Sequence, residues 1–163
     1  MKRITAKTLS WDNFHTYGEF ANLLNPEGPC IGEGDVVFYR DILAEYTSPL
    51  LTGFSTVVCQ KRPYVIDEAE RHMNATEILI PLNDDVVIFA APAGNDCFPY
   101  DQVEAFIVPK GYMITFRPGV WHKAQYPINA QNVSVVCILP ERTYANDCLV
   151  VKFPQDKMIE IEL

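Results

Sequence analysis

Three histidines occur in the 163 residues, His15, His72 and His122, and two of them stand where they can do chemistry. His72 lies in Glu70-Arg71-His72-Met73-Asn74-Ala75-Thr76-Glu77, directly before an apolar run, where alternate strand side chains can reach a barrel mouth or interior. His122 closes Arg117-Pro118-Gly119-Val120-Trp121-His122, in which Pro-Gly makes a turn and delivers the following side chains onto a new segment. Two imidazoles and the Glu77 carboxylate meeting in one place would bind a first-row divalent metal, or act as acid and base near neutral pH. Each has a plainer use as well. A histidine beside an aromatic residue is commonly a hydrogen-bonded structural group, and Glu77 can equally face solvent from a strand. His15 reads as a surface group.

Arg71, Arg117 and Lys123 flank the two histidines and offer positive charge for a carboxylate ligand, with arginine suited to a bidentate grip. Alternatively they pair with surface carboxylates. The five cysteines are odd in number and lack C-x-x-C spacing, so neither a disulfide scaffold nor a structural zinc site is expected. Reduced, buried thiols are the expectation. Cys148 adjoins no basic residue, which argues against a nucleophilic thiolate.

The elements that must position these groups read as short strands. Runs rich in β-branched and aromatic residues occur at 36–39, 54–59, 77–82, 86–91, 103–108, 113–116, 133–139 and 148–153, separated by turn residues. This spacing predicts an all-β, mainly antiparallel barrel or jelly roll. Leu82-Asn83-Asp84-Asp85-Val86 predicts a tight hairpin, and Pro109-Lys110-Gly111 another turn. Ser10 can cap a short N-terminal helix carrying Trp11, Phe14 and Tyr17 and ending at a left-handed Gly18. Residues 25–34 form a Pro- and Gly-rich loop, and 41–46 and 67–72 each allow a turn of helix. No ten-residue helical pattern alternates with the strands, which argues against a parallel α/β fold and its nucleotide crevice. One domain spanning 1–163 is expected, at a length that supports a single core.

Charge and hydropathy narrow the partners. A net charge of −8 opposes binding to nucleic acid or an anionic membrane, so an anionic ligand needs a local basic pocket. The apolar runs fall short of the roughly 20 residues a spanning helix requires. The first ten residues lack the apolar core of a signal peptide, and a cytoplasmic location is expected.

The Pro-Gly-x-x-His arrangement after Gly111, with His72 and Glu77 upstream on strands, resembles the two motifs of the cupin superfamily. More closely, the chain resembles the ureidoglycolate lyase family, through Tyr17-Gly18-Glu19, Phe38-Tyr39-Arg40-Asp41, Glu70-Arg71-His72, Ile80-Pro81-Leu82, Val103-Glu104-Ala105-Phe106-Ile107 and the Gly-Val-Trp-His ending at His122. The resemblance implies a cupin-like jelly roll that splits ureidoglycolate into glyoxylate and urea in allantoin and purine nitrogen catabolism. It also implies a homodimer and a divalent metal such as nickel, manganese or zinc. The second histidine of the general cupin pattern is Asn74 here, which leaves His72, Glu77 and His122 as the implied ligands. In such an enzyme His72, His122 and Glu77 are the catalytic set, and Arg71, Arg117 and Lys123 hold the substrate carboxylate. Two other readings of the same fold are an isomerase or epimerase of a small sugar or hydroxy acid, and a small-ligand-binding module without catalysis.

Overall fold

The structure is a computed structural model describing residues 1–43, 50–94 and 97–163. Two sheets carry the fold. The larger runs in spatial order Tyr126–Pro127, Val86–Ala90, Glu104–Val108, Lys2–Thr8, Ile159–Glu162 and Val65–Ile66. The smaller runs Phe20–Asn22, Tyr112–Phe116, Glu77–Pro81, Asn132–Pro140 and Thr52–Gln60. Two ribbons complete it, Glu68–Arg71 with Leu149–Lys152 and Cys30–Ile31 with Phe38–Tyr39. Pairing is antiparallel except at Lys2–Thr8, which lies parallel to both of its neighbours. The all-β, mainly antiparallel jelly-roll class expected from the sequence is the class adopted. Among the described residues, no helix is long and apolar enough to cross a membrane.

The main core forms where the sheets face each other. Leu79, Ile114, Phe116, Val133 and Val135 of the smaller sheet pack with Val86, Ile88, Ala90, Phe106 and Val108 of the larger. Phe14, from the helix Trp11–Phe14, joins them edge-on to Phe106 at 5.3 Å between ring centroids. A second core covers the outer face of the larger sheet: Val87, Phe89 and Ala105 meet Phe98, Trp121, Phe153, Ile159 and Ile161. All five residues of Val86–Ala90 are buried for that reason. A strand covered on both sides reads as a continuous apolar run, without alternation.

Each of the eight expected strand runs contains a strand, but some connections differ from expectation. Glu77–Pro81 and Val86–Ala90 lie in different sheets, so the segment between them is a crossover and not a hairpin. Its polar side chains staple distant loops. The Asp84 carboxylate accepts the N–H groups of Asn129 (2.8 Å) and Ala130 (2.9 Å), and Asn83 Oδ1 accepts the N–H of Ser134 (2.7 Å). Burial acts to raise the Asp84 pKa, yet these amide donors hold it below the ordinary carboxylate value.

Gly18 does not adopt a left-handed conformation. A Cβ there would lie 1.8 Å from the Thr115 carbonyl oxygen, so the residue is needed for close approach of two backbones. Residues Glu68–Arg71 form a strand and not the helical turn allowed at 67–72, while the turn allowed at 41–46 extends outside the described residues. The loop at 25–34 includes the short strand Cys30–Ile31. Strands Lys2–Thr8 and Ile159–Glu162 were not expected. Both alternate a few apolar residues with charged ones, and both gain their place from pairing with each other.

Candidate functional site

Strand alternation and one turn assemble the site. Glu77 begins its strand and is paired in register with Phe116; Leu79, two residues on and so on the same face, packs into the main core. His122 follows the Pro118-Gly119 turn, where Gly119 takes φ +82° and the Val120 N–H bonds to the Arg117 carbonyl. Its backbone then makes an isolated bridge with Glu70, the two N–H···O bonds measuring 2.7 and 2.9 Å. Gly119 N–H also bonds to the His72 carbonyl at 2.6 Å, locking the two histidine-bearing segments together. The ring centroids of His72 and His122 consequently lie 5.3 Å apart.

Backbone carbonyls orient both rings. His72 Nδ1 meets the Asp147 carbonyl at 2.6 Å and His122 Nδ1 meets that of Val120 at 2.9 Å. A carbonyl oxygen only accepts, so each Nδ1 carries a proton and each Nε2 is turned inward. Both Nε2 atoms converge on Glu77 Oε2, at 2.5 Å from His122 and 3.6 Å from His72. Phe116 stacks on His122 at 4.4 Å, and the Cys137 thiol donates to Glu77 Oε1 at 3.2 Å.

Burial acts to raise the Glu77 pKa, but the close positive charge of His122, reinforced by His72, holds it well below the carboxylate range. For His72 burial acts downward and is outweighed by Glu77, the Asp147 carbonyl and Glu70, so its pKa lies above the ordinary value. Burial and the neighbouring Glu77 push the Cys137 thiol upward; burial and Glu70 push Cys148 up to about 11. Cys148 is therefore a protonated donor to Glu70 at neutral pH, at 3.6 Å.

The contact between Glu77 Oε2 and His122 Nε2 is close but poorly aligned, and neither atom makes a directed hydrogen bond. A neutral imidazole with its proton on Nδ1 presents a lone pair at Nε2. A lone pair facing a buried carboxylate requires positive charge between or upon them, from a proton or a cation. Two imidazole nitrogens and a carboxylate oxygen suit a first-row divalent ion. Glu70, His72 and His122 also offer ligand atoms that all lie within 4.8 Å of one another.

A cavity of about 260 Å³ opens beside this cluster, its lining including Glu70, His72, Glu77, Cys137, Arg142 and Tyr144. The three cations expected at the site occupy different places. Lys123 reaches Glu70 (2.8 Å) and Glu68 (3.2 Å), which raise its pKa against the effect of burial. Arg71 is buried, its guanidinium 4.4 Å above the Trp121 ring. Arg117 lies with the N-terminal segment, bonded to the His15 carbonyl and 3.8 Å from Glu19.

Glu70, Arg142 and Asp147 escaped the sequence reading. Glu70 is two residues from His72, a same-face spacing on a strand that a helical turn at 67–72 obscures. Asp147 anchors the His72 loop, its carboxylate accepting the N–H groups of Met73 and Asn74, both at 2.8 Å. No local sequence signal joins residues so far apart.

Comparison with known proteins bears on the whole chain. The ureidoglycolate lyase of Escherichia coli (strain K12) is 26% identical over 153 residues, covering 92% of this chain and 94% of that protein. The ureidoglycolate lyase of Shigella boydii serotype 18 (strain CDC 3083-94 / BS512) matches equally well, at 26% over 153 residues with the same coverage. Among solved structures, a dTDP sugar isomerase from Desulfovibrio desulfuricans G20 superposes with a TM-score of 0.49 at 15% identity, covering 85% of both chains. The family model for ureidoglycolate lyase matches residues 1–160, a span that includes every strand on which the two histidines and the carboxylate depend, and the chain belongs to the ureidoglycolate lyase family.

Proposed function

We propose that the chain cleaves ureidoglycolate to glyoxylate and urea, with His72, His122 and Glu77 as the reactive cluster. The observation that carries this reading is the convergence of both Nε2 atoms on Glu77 Oε2 beside a cavity of small-metabolite size. In the reaction the carbon–nitrogen bond to the ureido group breaks as the hydroxyl loses its proton and becomes the carbonyl. The departing nitrogen gains a proton and leaves as urea. Glu70, His72 and Glu77 line the cavity and are the groups that can accept and return protons there. His122 is absent from the lining; it acts on His72 through Glu77.

His72, His122 and Glu77, with Glu70 alongside, would also hold a divalent cation such as nickel, manganese or zinc, which when bound supplies positive charge to a developing oxyanion. Emission spectrometry on untagged protein separates the two uses. Stoichiometric metal makes the three residues ligands, and a fully active metal-free sample makes them acid and base. The decisive assay is release of urea from ureidoglycolate. Wild-type protein produces it, and His72→Ala lowers the rate by about 10²–10⁴-fold while the thermal unfolding transition is retained. Wild-type protein releasing urea no faster than buffer overturns the assignment.

The same reading includes a homodimer in the cytoplasm, the compartment that five free cysteines favour. Thr52–Gln60 ends the smaller sheet, and its outer face exposes Phe54 (75%) and Val58 (55%). An apolar face on an open edge is a surface that a second copy would cover. Sedimentation equilibrium is expected to give twice the chain mass for wild type and a lower mass for Phe54→Lys. A wild-type monomer at micromolar concentration removes the dimer.

A further inference from the structure

The cavity carries a charge problem that its own lining resolves at one residue. Glu70, Glu77 and Glu141 all line it, and a carboxylate ligand entering there meets three acids. Lys123 is already engaged by Glu68 and Glu70, Arg71 is covered by Trp121, and Arg117 lies with His15 and Glu19. Arg142 is the one arginine or lysine among the described residues lining the cavity.

Its backbone adds a second, independent observation. Arg142 sits at φ +61° and ψ +19°, the left-handed region where a Cβ is crowded and where glycine or asparagine is favoured. The conformation is imposed from both sides. Ala145 and Asn146 donate their N–H groups to the Arg142 carbonyl at 2.9 and 3.0 Å, and Thr143 Oγ1 donates to the Pro140 carbonyl at 2.7 Å. The turn would form more easily around glycine, and the residue standing there is instead an arginine that lines the cavity.

We propose that Arg142 is the specificity-determining residue that binds the carboxylate of the substrate at the mouth of the cavity. This rests on the cavity being the substrate site. A planar guanidinium accepts a carboxylate in a two-point grip, leaving the hydroxyl-bearing carbon free to face His72 and Glu77 deeper in the cavity. The ligand class is a small 2-hydroxy or 2-oxo carboxylate, and an uncharged amide of the same shape is discriminated against.

Arg142→Gln keeps length and polarity but removes the charge, while Arg142→Gly removes the side chain and relieves the backbone crowding. Both variants are expected to raise KM for ureidoglycolate by about 10- to 100-fold, the range for a hydrogen bond to a charged group, with kcat changed by less than about threefold. Binding of glycolate and glycolamide, read by calorimetry, provides a measurement independent of turnover. Glycolate affinity should fall in both variants and glycolamide affinity should stay as in wild type. Wild-type urea release with unchanged KM in Arg142→Gln overturns the proposal and leaves the lyase reading intact. Equal losses for glycolate and glycolamide also overturn it, because they mark a wall residue and not an anion anchor. If wild type releases no urea, the lyase reading fails. The glycolate and glycolamide comparison then decides Arg142 by itself.

Discussion

Glu77→Gln is expected to slow urea release by about 10²–10⁴-fold, the range for loss of a positioned acid–base group, while the thermal unfolding transition moves by only a few degrees. The asymmetry follows from the hydrogen-bonding inventory around the side chain. Each histidine turns its Nε2 inward because its Nδ1 proton is held by a backbone carbonyl. A glutamine amide can donate to His122 Nε2 and still accept from the Cys137 thiol, so the variant has partners for its buried atoms. What it lacks is the negative charge that makes an imidazolium or a cation stable between these groups. Glu77→Ala instead leaves a void and an unpaired thiol and should lose stability as well as rate. Parallel urea assays and melting curves on the two variants check both statements. Near wild-type activity in Glu77→Gln would remove the carboxylate charge from the mechanism.

The second large effect concerns the strand Val86–Ala90. Phe89 and Ile88 are adjacent and point to opposite faces, Phe89 into the outer core with Trp121 and Phe98, Ile88 into the core between the sheets. Phe89→Ala should cost about 3–5 kcal/mol and Ile88→Ala about 2–5 kcal/mol. With melting temperature moving about 2–4 °C per kcal/mol at this chain length, Phe89→Ala lowers it by about 6–20 °C. A sheet with one solvated face would show a large effect for one of the pair and almost none for the other. Guanidinium chloride titration of both variants distinguishes these cases, and a loss under about 0.5 kcal/mol for either would mean that its face is not buried.

These two expectations mark the boundary between local and tertiary information. The apolar run around Phe89 announced a strand, because β-branched and aromatic residues between turn signals fit a pleated surface. It could not announce which sheet the strand joins. Asn83 and Asp84 have the composition of a hairpin turn, yet their side chains bond to Ser134, Asn129 and Ala130, and the chain crosses to the other sheet. Gly18 is similar: its type signalled a special backbone position, but the reason is the Thr115 carbonyl of a strand far along the chain. Lys2–Thr8 went unread because basic residues dilute its alternation and only its parallel partners stabilise it.

By itself, the sequence left open whether Glu77 faces His72 or solvent, and it determined the all-β class and the Pro-Gly turn that presents His122. Those are local properties, set by φ restrictions and the period of two along extended chain. Tertiary structure decided which charges share the cavity. It brought Glu70 and His72 beside His122 through the backbone bridge between Glu70 and His122, drew Arg71 and Arg117 to other partners, and put Arg142 on the cavity wall. Electrostatic partnership depends on distances of a few ångströms between residues tens of positions apart, and only the packing of the two sheets sets those distances.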